Sequence, residues 1–296
     1  MRLKNAWYLG ALAAGAVAGA CAVAVDAIKN LHLHVRWRTL FGPALVADIL
    51  DDEEAPVRVL VVGSSYQSAS YLNERRMEPV FAYYRAFDVL FQAFPEHAHL
   101  CMVGGGAYSF AKHALSERAD VSMDVVEIDP AITELAKRYF FLDELIERHA
   151  EHADAVPQEL PGWEPGTATV EDHGRLRLVC ADGRAWLERS DERYDAIIND
   201  AFSGSRVPGE LSGEEMARVA AGALEPGGLY LVNVVASGRA GEELRPVREA
   251  AEALARVFAH VWIVPAADDH FQADENYVLV ASDGAHELGD ALPYEA

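Results

Sequence analysis

Three consecutive glycines at residues 104–106 constrain the fold of this chain more than any other feature. They follow the short apolar run HLCMV and precede a helical pattern over Tyr108–Ser116. A glycine-rich turn of this kind lies at the carboxyl end of a strand, which is where open α/β sheets bind ligands. Without side chains the turn can be tight, and a ligand can touch its backbone. The turn therefore predicts an α/β sheet with a binding crevice at this edge.

Strand and helix patterns alternate from His99 onward. The apolar strand patterns are VSMDVVEI, RLRLVCA, YDAIIND and LYLVNVV, and helices are predicted between them at Pro130–Phe140, Arg184–Glu188, Gly213–Leu224 and Glu242–Phe258. This alternation predicts a mostly parallel sheet with helices on both faces. Two closing strands, HVWIVPA and NYVLVAS, are predicted to form an antiparallel hairpin. We therefore expect a Rossmann-like, methyltransferase-type α/β domain over residues 96–296, with a mobile insertion at about 148–174.

Residues 29–95 are predicted to form a smaller N-terminal region. The triplet Gly-Ser-Ser at residues 63–65 stands between two apolar stretches, which is a hairpin signal. Apolar residues at helical spacing then run from Glu78 to Phe94 and stop before Pro95. We expect a small β region with a hairpin, followed by one helix.

The first 28 residues differ from the rest of the chain. No residue from Ala6 to Val25 is charged, and the length of this run suits one membrane-spanning helix. A cleaved signal peptide is the alternative, because small residues occupy plausible cleavage positions, and a lipoprotein cysteine at Cys21 is a weaker one. Basic residues flank both ends, so charge does not set the orientation. The favoured interpretation is an uncleaved anchor with the α/β domain in the cytoplasm.

Charge and cysteine content exclude several classes of function. The chain has 296 residues, 47 of them acidic and 25 basic, for a net charge of −22. A surface this acidic repels nucleic acid and anionic lipid and attracts cations and polyamines, although a merely solvated acidic surface is the simpler explanation of the charge. Cys101 and Cys180 lie in apolar runs, and no cysteine pair has metal-ligand spacing. These features predict reduced thiols, no metal site and no nucleic-acid partner.

Acidic residues end the two strands that follow the glycines. Glu127 comes about twenty residues after the turn, where a carboxylate can accept the hydroxyls of a ribose. Asp182 precedes Gly183 and can accept from an amine such as adenine N6, or cap the next helix. Ser109 stands where the nicotinamide-binding pattern has a glycine. The pattern favours S-adenosylmethionine or a relative over NAD.

Several of these segments resemble the spermidine synthase family. The motifs LCMVGGGAYSFAKH, DVVEIDP, VCADGRAWL, YDAIINDAFSG and LEPGGLYLVNVV occur in the family's order and spacing, and SSYQSASYL is similar to its N-terminal β region. The resemblance covers roughly residues 57–282, and the hydrophobic N-terminus resembles the family's membrane-associated bacterial branch. The resemblance to this family implies transfer of an aminopropyl group from decarboxylated S-adenosylmethionine to an amine such as putrescine. The donor is a co-substrate rather than a tightly bound cofactor.

The resemblance also implies which residues form the site. The nucleoside would contact Gly104, Gly105, Gly106, Glu127, Asp182 and Gly183. Asp200 matches the catalytic base, which has to hold an ammonium group and take its proton, because free polyamines are protonated at neutral pH. The candidate amine-binding residues are Gln67, Tyr83, Tyr84, Tyr108 and Ser203. For Gln67, Tyr83 and Tyr84, a turn position or a packed helix face is the simpler explanation.

Two departures from the family pattern leave alternatives open. The family has Asp and Gly after the three glycines, where this chain has Ala107 and Tyr108, and a second aspartate where this chain has Ser203. The missing aspartate leaves room for the carboxylate of ordinary S-adenosylmethionine, so a methyltransferase on the same scaffold is one alternative. A non-catalytic nucleoside-binding membrane protein is the other. The expected partners are a small-molecule amine, the membrane through the N-terminal helix, and a second copy of the chain in a homodimer.

Overall fold

The computed structural model describes residues 33–36, 38–51, 53–63, 65–149, 152, 154–201, 212–237, 244–266, 274–289 and 291–295. The predicted anchor at Ala6–Val25 and the candidate residue Ser203 lie outside this part of the chain. None of the helices within it is long and apolar enough to cross a membrane.

The N-terminal region contains an antiparallel sheet that, in its described part, has four strands in chain order. These strands are β1 (Leu33–Arg36), β2 (Ala44–Leu50), β3 (Pro56–Val62) and β4 (Ser65–Tyr71). The predicted hairpin joins β3 to β4, with Val62 opposite Ser65. The sheet is larger than the sequence predicted, because β1 and β2 pair with each other and β2 also pairs with β3.

The helix predicted from Glu78 begins later in the structure. It consists of α1 (Tyr83–Ala86), a 3-10 turn (Phe87–Val89) and α2 (Leu90–Ala93). The predicted start was wrong because residues 73–78 form successive turns, in which the backbone N–H of Glu78 donates to the carbonyl of Arg75 at 2.7 Å. Pro79 also disfavours helical geometry at Glu78.

The larger sheet holds the crevice. Its strands are β5 (Ala98–Val103), β6 (Val121–Val126), β7 (Gln158–Glu159), β8 (Thr169–Asp172), β9 (Leu176–Cys180), β10 (Tyr194–Asn199), β11 (Leu224–Ser237), β12 (His260–Ala266), β13 (Asp274–Ser282) and β14 (Leu292–Pro293). Their spatial order within the described chain is β14-β12-β13-β11-β10-β5-β6-β9-β8-β7. The central strands β11, β10, β5, β6 and β9 are parallel, whereas β12 and β13 form the predicted antiparallel hairpin.

Helices cover both faces of this sheet. They are α3 (Ser109–Glu117), α4 (Pro130–Tyr139), α5 (Leu142–His149), α6 (Gly183–Arg189), α7 (Gly213–Ala223) and α8 (Arg245–Ala255). Alternate residues of one strand enter different cores, since Leu100 and Met102 pack with the N-terminal sheet and α3, whereas Cys101 and Val103 pack with α6 and α7. Burial on both faces explains why the central strands are almost continuously apolar. The predicted Rossmann-like α/β class is confirmed.

The predicted insertion at about 148–174 contains regular structure. It begins within α5, which ends at His149, and it includes β7 and β8. They extend the sheet because β8 pairs antiparallel with β9 and β7 pairs antiparallel with β8. Strand β7 has only two residues, and both are exposed, so it leaves no apolar pattern in the sequence that would have predicted it.

A buried lysine links the two sheets. Lys112 on α3 is 1% exposed, and its Nζ donates to the carbonyl of Phe140 at 2.9 Å and to the hydroxyl of Ser70 on β4. Burial lowers the pKa of Lys112 to about 7, although the charge of Glu144 opposes the shift. The N-terminal sheet is therefore attached to the glycine turn's own helix by polar bonds as well as by apolar packing.

Candidate functional site

The glycine turn is shaped first by the protein's own backbone. Gly104 has a φ of +98°, and a Cβ there would lie 2.6 Å from the carbonyl oxygen of Asp200. The N–H of Gly104 donates to the carbonyl of Val126, and the N–H of Asp200 donates to that of Val103, both at 2.9 Å. The turn between β5 and α3 is thus bound to the ends of both neighbouring strands. Glycine is required at 104 whether or not a ligand is bound.

Glu127 lies directly against the other two glycines. Its Oε2 accepts from the N–H groups of Gly105 at 3.0 Å and Gly106 at 3.3 Å, and its Oε1 accepts from the N–H of Asp129 at 2.9 Å. Burial raises the pKa of Glu127, and these backbone hydrogen bonds oppose the shift. A carboxylate oxygen accepts about two hydrogen bonds, so Oε1 retains acceptor capacity beside the turn.

Asp182 and Gly183 lie at the carboxyl end of β9. The exposed Asp182 caps α6 by accepting from the N–H of Ala185 at 2.8 Å. A Cβ on Gly183 would lie 2.3 Å from the Cγ1 atom of Val103, which is buried. The helix start is therefore packed tightly against β5, and this packing keeps the Asp182 carboxylate at the same sheet edge as the glycine turn.

Asp200 follows β10 at the centre of this edge. Its Oδ2 accepts from the Tyr83 hydroxyl at 3.1 Å, and its Oδ1 accepts from Nδ2 of Asn233 at 2.8 Å. Burial raises the pKa of Asp200 to about 7, and hydrogen bonds from Asn233, Tyr83 and Tyr84 limit the rise. A carboxylate with a pKa near neutrality is suited to general-base catalysis.

The two tyrosines connect this carboxylate to the N-terminal sheet. The Tyr83 and Tyr84 rings are 4.2 Å apart, and both side chains are buried. The Tyr84 hydroxyl lies 3.3 Å from that of Ser68 on β4, which lies 2.9 Å from the hydroxyl of Ser109 on α3. The tyrosines therefore pack in the core, as the simpler interpretation predicts, and they also border Asp200.

Gln67 borders the glycine turn through its backbone. A Cβ on Gly106 would lie 3.8 Å from the carbonyl oxygen of Gln67. Its neighbour Ser68 lies closer, with its Cβ at 3.6 Å from the same point. Strand β4 therefore forms the wall of the crevice beside Gly106.

Tyr108 and Ala107 turn away from Asp200. Tyr108 adopts a left-handed conformation with φ +56°, is 1% exposed, and forms a hydrogen bond of 2.9 Å between its hydroxyl and that of Thr133 on α4. Ala107 is completely buried in an apolar cluster with Ile132, Leu135 and residues of β2 and β3. The side chains at both positions therefore pack toward α4 and the N-terminal sheet.

Other residues at this edge were not predicted. Asn233 is a polar residue in the apolar run LYLVNVV, and that irregularity was the available signal. Ile128 is 40% exposed beside Glu127, which is unusual for a large apolar residue at a strand end. Leu40 and Phe41 are also exposed, and the N–H of Leu40 donates to Oδ2 of Asp129 at 2.6 Å. The turn before β2 therefore lies next to the end of β6.

The described residues contain no cluster of His, Cys, Asp and Glu side chains that could hold a metal ion. Cys101 and Cys180 are both free cysteines. The groups at the sheet edge are a carboxylate with a raised pKa, phenol hydroxyls, an amide and backbone N–H groups.

Comparison with curated proteins finds sequence similarity to polyamine aminopropyltransferases. No protein-family model matches the chain. It is 25% identical over 182 residues to a polyamine aminopropyltransferase of Vibrio vulnificus, a match that covers 60% of this chain and 51% of that protein. The chain spans about half the length of the curated relatives it matches.

Solved structures show the same fold. A probable spermidine synthase from Corynebacterium glutamicum has a TM-score of 0.62 and 19% identity over 86% of this chain and 82% of its own. A spermidine synthase in complex with the transition state analogue AdoDATO has a TM-score of 0.60 and 16% identity over 88% and 75%. The chain is therefore similar in sequence to polyamine aminopropyltransferases, and it shares the fold of spermidine synthases.

Position 107 is one of the places where this chain departs from the pattern of the spermidine synthase family that it resembles. We expect Ala107→Asp to lower the free energy of unfolding by about 3 kcal/mol or more, because the carboxylate would enter an apolar cluster without a partner. Urea unfolding at pH 7 measures this loss. The matched control is Ala107→Asn, which has the same size without the charge and should lose less. An Ala107→Asp protein as stable as the parent would mean that position 107 faces the crevice.

Proposed function

We propose that this protein transfers an aminopropyl group from decarboxylated S-adenosylmethionine to an amine such as putrescine. The observation that carries the proposal is Asp200, which lies at the carboxyl edge of the sheet with a pKa of about 7 and a hydrogen bond from Tyr83, as a general base would. The glycine turn and Glu127 lie at the same edge. Sequence similarity to a polyamine aminopropyltransferase and the fold shared with a spermidine synthase support the same reaction.

The chemistry needs little beyond placement and one base. The acceptor arrives as an ammonium ion, and Asp200 holds it and removes one proton, which later passes to solvent. The freed lone pair attacks the carbon next to the sulfonium, so a C–N bond forms as the C–S bond breaks. The C–S electron pair stays on sulfur, and methylthioadenosine leaves as a neutral thioether. Since charge on sulfur is lost during the step, holding the two reactants in line supplies most of the acceleration.

We propose that the nucleoside lies between the glycine turn and α6. Oε1 of Glu127 would accept a ribose hydroxyl, and the exposed carboxylate of Asp182 would accept from the adenine amine. Ile128 offers an exposed apolar surface beside Glu127 for the base. These contacts use acceptor capacity and apolar area that remain available in the described structure.

Glu127→Gln is expected to weaken the binding of methylthioadenosine by about 10- to 100-fold, the range for losing a hydrogen bond to a charged group. Titration calorimetry with the purified protein measures the change. Glu159→Gln is the matched control, because Glu159 is exposed on β7 and should leave the affinity unchanged. Equal affinities for Glu127→Gln and the parent would remove Glu127 from the nucleoside site.

Methyl transfer from S-adenosylmethionine is the second candidate, and a specific observation favours it. Ala107 provides no carboxylate to hold the ammonium of an aminopropyl donor. Both reactions are attacks on a carbon bonded to a sulfonium, so the same base would serve. Incubation with putrescine and each donor, followed by mass spectrometry, separates them. Methylthioadenosine and spermidine support the first function, whereas S-adenosylhomocysteine and a methylated amine support the second.

A further inference from the structure

Asn233 is a polar side chain at a position where the fold needs none. It lies on β11, opposite Val278 of β13 and one residue after Val232, which pairs with Asn199 beside Asp200. The side chain is 1% exposed. Its Nδ2 donates to Oδ1 of Asp200 at 2.8 Å. One half of the amide is therefore used to hold the candidate base.

The other half of the amide has no partner in the described structure. Oδ1 of Asn233 is buried and accepts no hydrogen bond there. Buried polar atoms in native proteins nearly always have partners, and an unpaired one destabilises the fold. An unpaired acceptor beside a carboxylate with a raised pKa indicates a place for a donor that arrives with the substrate.

We infer that Asn233 binds the attacking nitrogen of the acceptor amine. This inference rests on the proposed transfer to an amine, whether the transferred group is aminopropyl or methyl. The ammonium donates one N–H to Asp200 and a second to Oδ1 of Asn233. Because Nδ2 fixes the amide against Oδ1 of Asp200, the two acceptors are held next to each other. The ligand class is a primary alkyl amine, which retains two N–H groups after it loses a proton.

The two acceptors act at different moments. Asp200 takes the proton and then no longer attracts the nitrogen as an anion. Oδ1 of Asn233 stays neutral throughout and continues to accept from an N–H of the uncharged amine. It thereby keeps the nitrogen lone pair directed at the carbon that is attacked, which is the alignment that an in-line displacement needs.

Calorimetric titration of putrescine into the protein saturated with methylthioadenosine tests this inference. Asn233→Ala removes the acceptor and should weaken putrescine binding by about 10- to 100-fold. Asn233→Asp retains an acceptor, because its carboxyl shares a proton with Asp200, so the affinity should stay within about threefold of the parent. Binding of methylthioadenosine itself should be unchanged in both variants, which also shows that they are folded.

Ser116→Ala is the control for removal of a buried, unpaired polar atom. Its Oγ has no hydrogen-bond partner in the described structure either, but it lies near the end of α3 that is remote from the glycine turn. It should bind putrescine like the parent. If Asn233→Ala binds putrescine as tightly as the parent, or if the parent binds no putrescine, the inference is wrong. If the parent binds putrescine but transfers nothing to it, the proposed function is contradicted. The inference is then still decided by the putrescine affinity of Asn233→Ala relative to the parent.

Discussion

Asp200→Asn is expected to lower the turnover number at least ~100-fold, the lower range for the loss of a general base. The substitution keeps the shape of the side chain but cannot take a proton from the acceptor. Turnover by the parent should rise with pH through about 7, because only the ionised carboxylate is a base. Initial rates with decarboxylated S-adenosylmethionine and putrescine from pH 6 to 9 measure both effects.

The stability of the same variant distinguishes a catalytic residue from a structural one. Since the pKa of Asp200 is raised in the folded state, folding retains a proton that the unfolded chain releases between about pH 4 and 7. The carboxylate therefore makes the fold less stable as pH rises through that range, and Asp200→Asn should melt at the same or a higher temperature at pH 8.

Asp195→Asn is the matched control for Asp200. Asp195 lies on the same strand, β10, and accepts from the N–H of His99 at 2.8 Å at the opposite edge of the sheet. Turnover by this variant should equal that of the parent. An Asp200→Asn protein that melts much lower and retains full activity per folded molecule would make Asp200 structural.

Gly104→Ala is expected to lower the free energy of unfolding by about 3 kcal/mol or more, the sum of an unfavourable backbone conformation and overpacking. The φ of +98° disfavours any side chain, and the new Cβ would meet the backbone of Asp200 at 2.6 Å. Backbone at the centre of a sheet cannot move aside cheaply. Urea denaturation followed by circular dichroism measures the loss.

Gly42→Ala separates the two causes of that loss. Gly42 has a similar φ of +108°, but a Cβ there would have nothing within 4 Å. It should therefore lose only about 1–2 kcal/mol, the cost of the backbone conformation. Equal losses in the two variants would show that the approach of Asp200 to Gly104 contributes nothing.

The central sheet was predictable because its strands are buried on both faces and alternate with helices. The alternation of apolar strands and helices can be read from local sequence, and it implies a mostly parallel sheet with helices on both faces. Glu127, Asp182 and Asp200 were predictable for the same reason, since carboxyl ends of parallel strands meet at one edge. Their contacts were not predictable, because capping by Asp182 and the three backbone bonds of Glu127 depend on exact loop geometry.

Other features depend on long-range packing. The direction of the Tyr108 side chain follows from φ +56°, which the sequence GGGAYS does not reveal. Asn233 comes next to Asp200 only through the pairing of β10 with β11. The helix begins at Tyr83 rather than at Glu78, and Pro79 disfavours helical geometry at the residue before it. Pro79 was a local signal for a later start, but the prediction followed the apolar spacing instead.

The shared core behind Tyr83 and Tyr84 constrains how this protein can change its substrate. These residues border Asp200 and also pack against Phe87, which in turn contacts Phe110. A mutation that reshapes the proposed acceptor side of the crevice therefore also alters the interior. On the proposed nucleoside side, Ile128 and Leu40 are exposed, so substitutions there do not disturb the core. Sequence drift can therefore retune nucleoside contacts one residue at a time, whereas a new acceptor requires coordinated changes that keep the protein folded at each step.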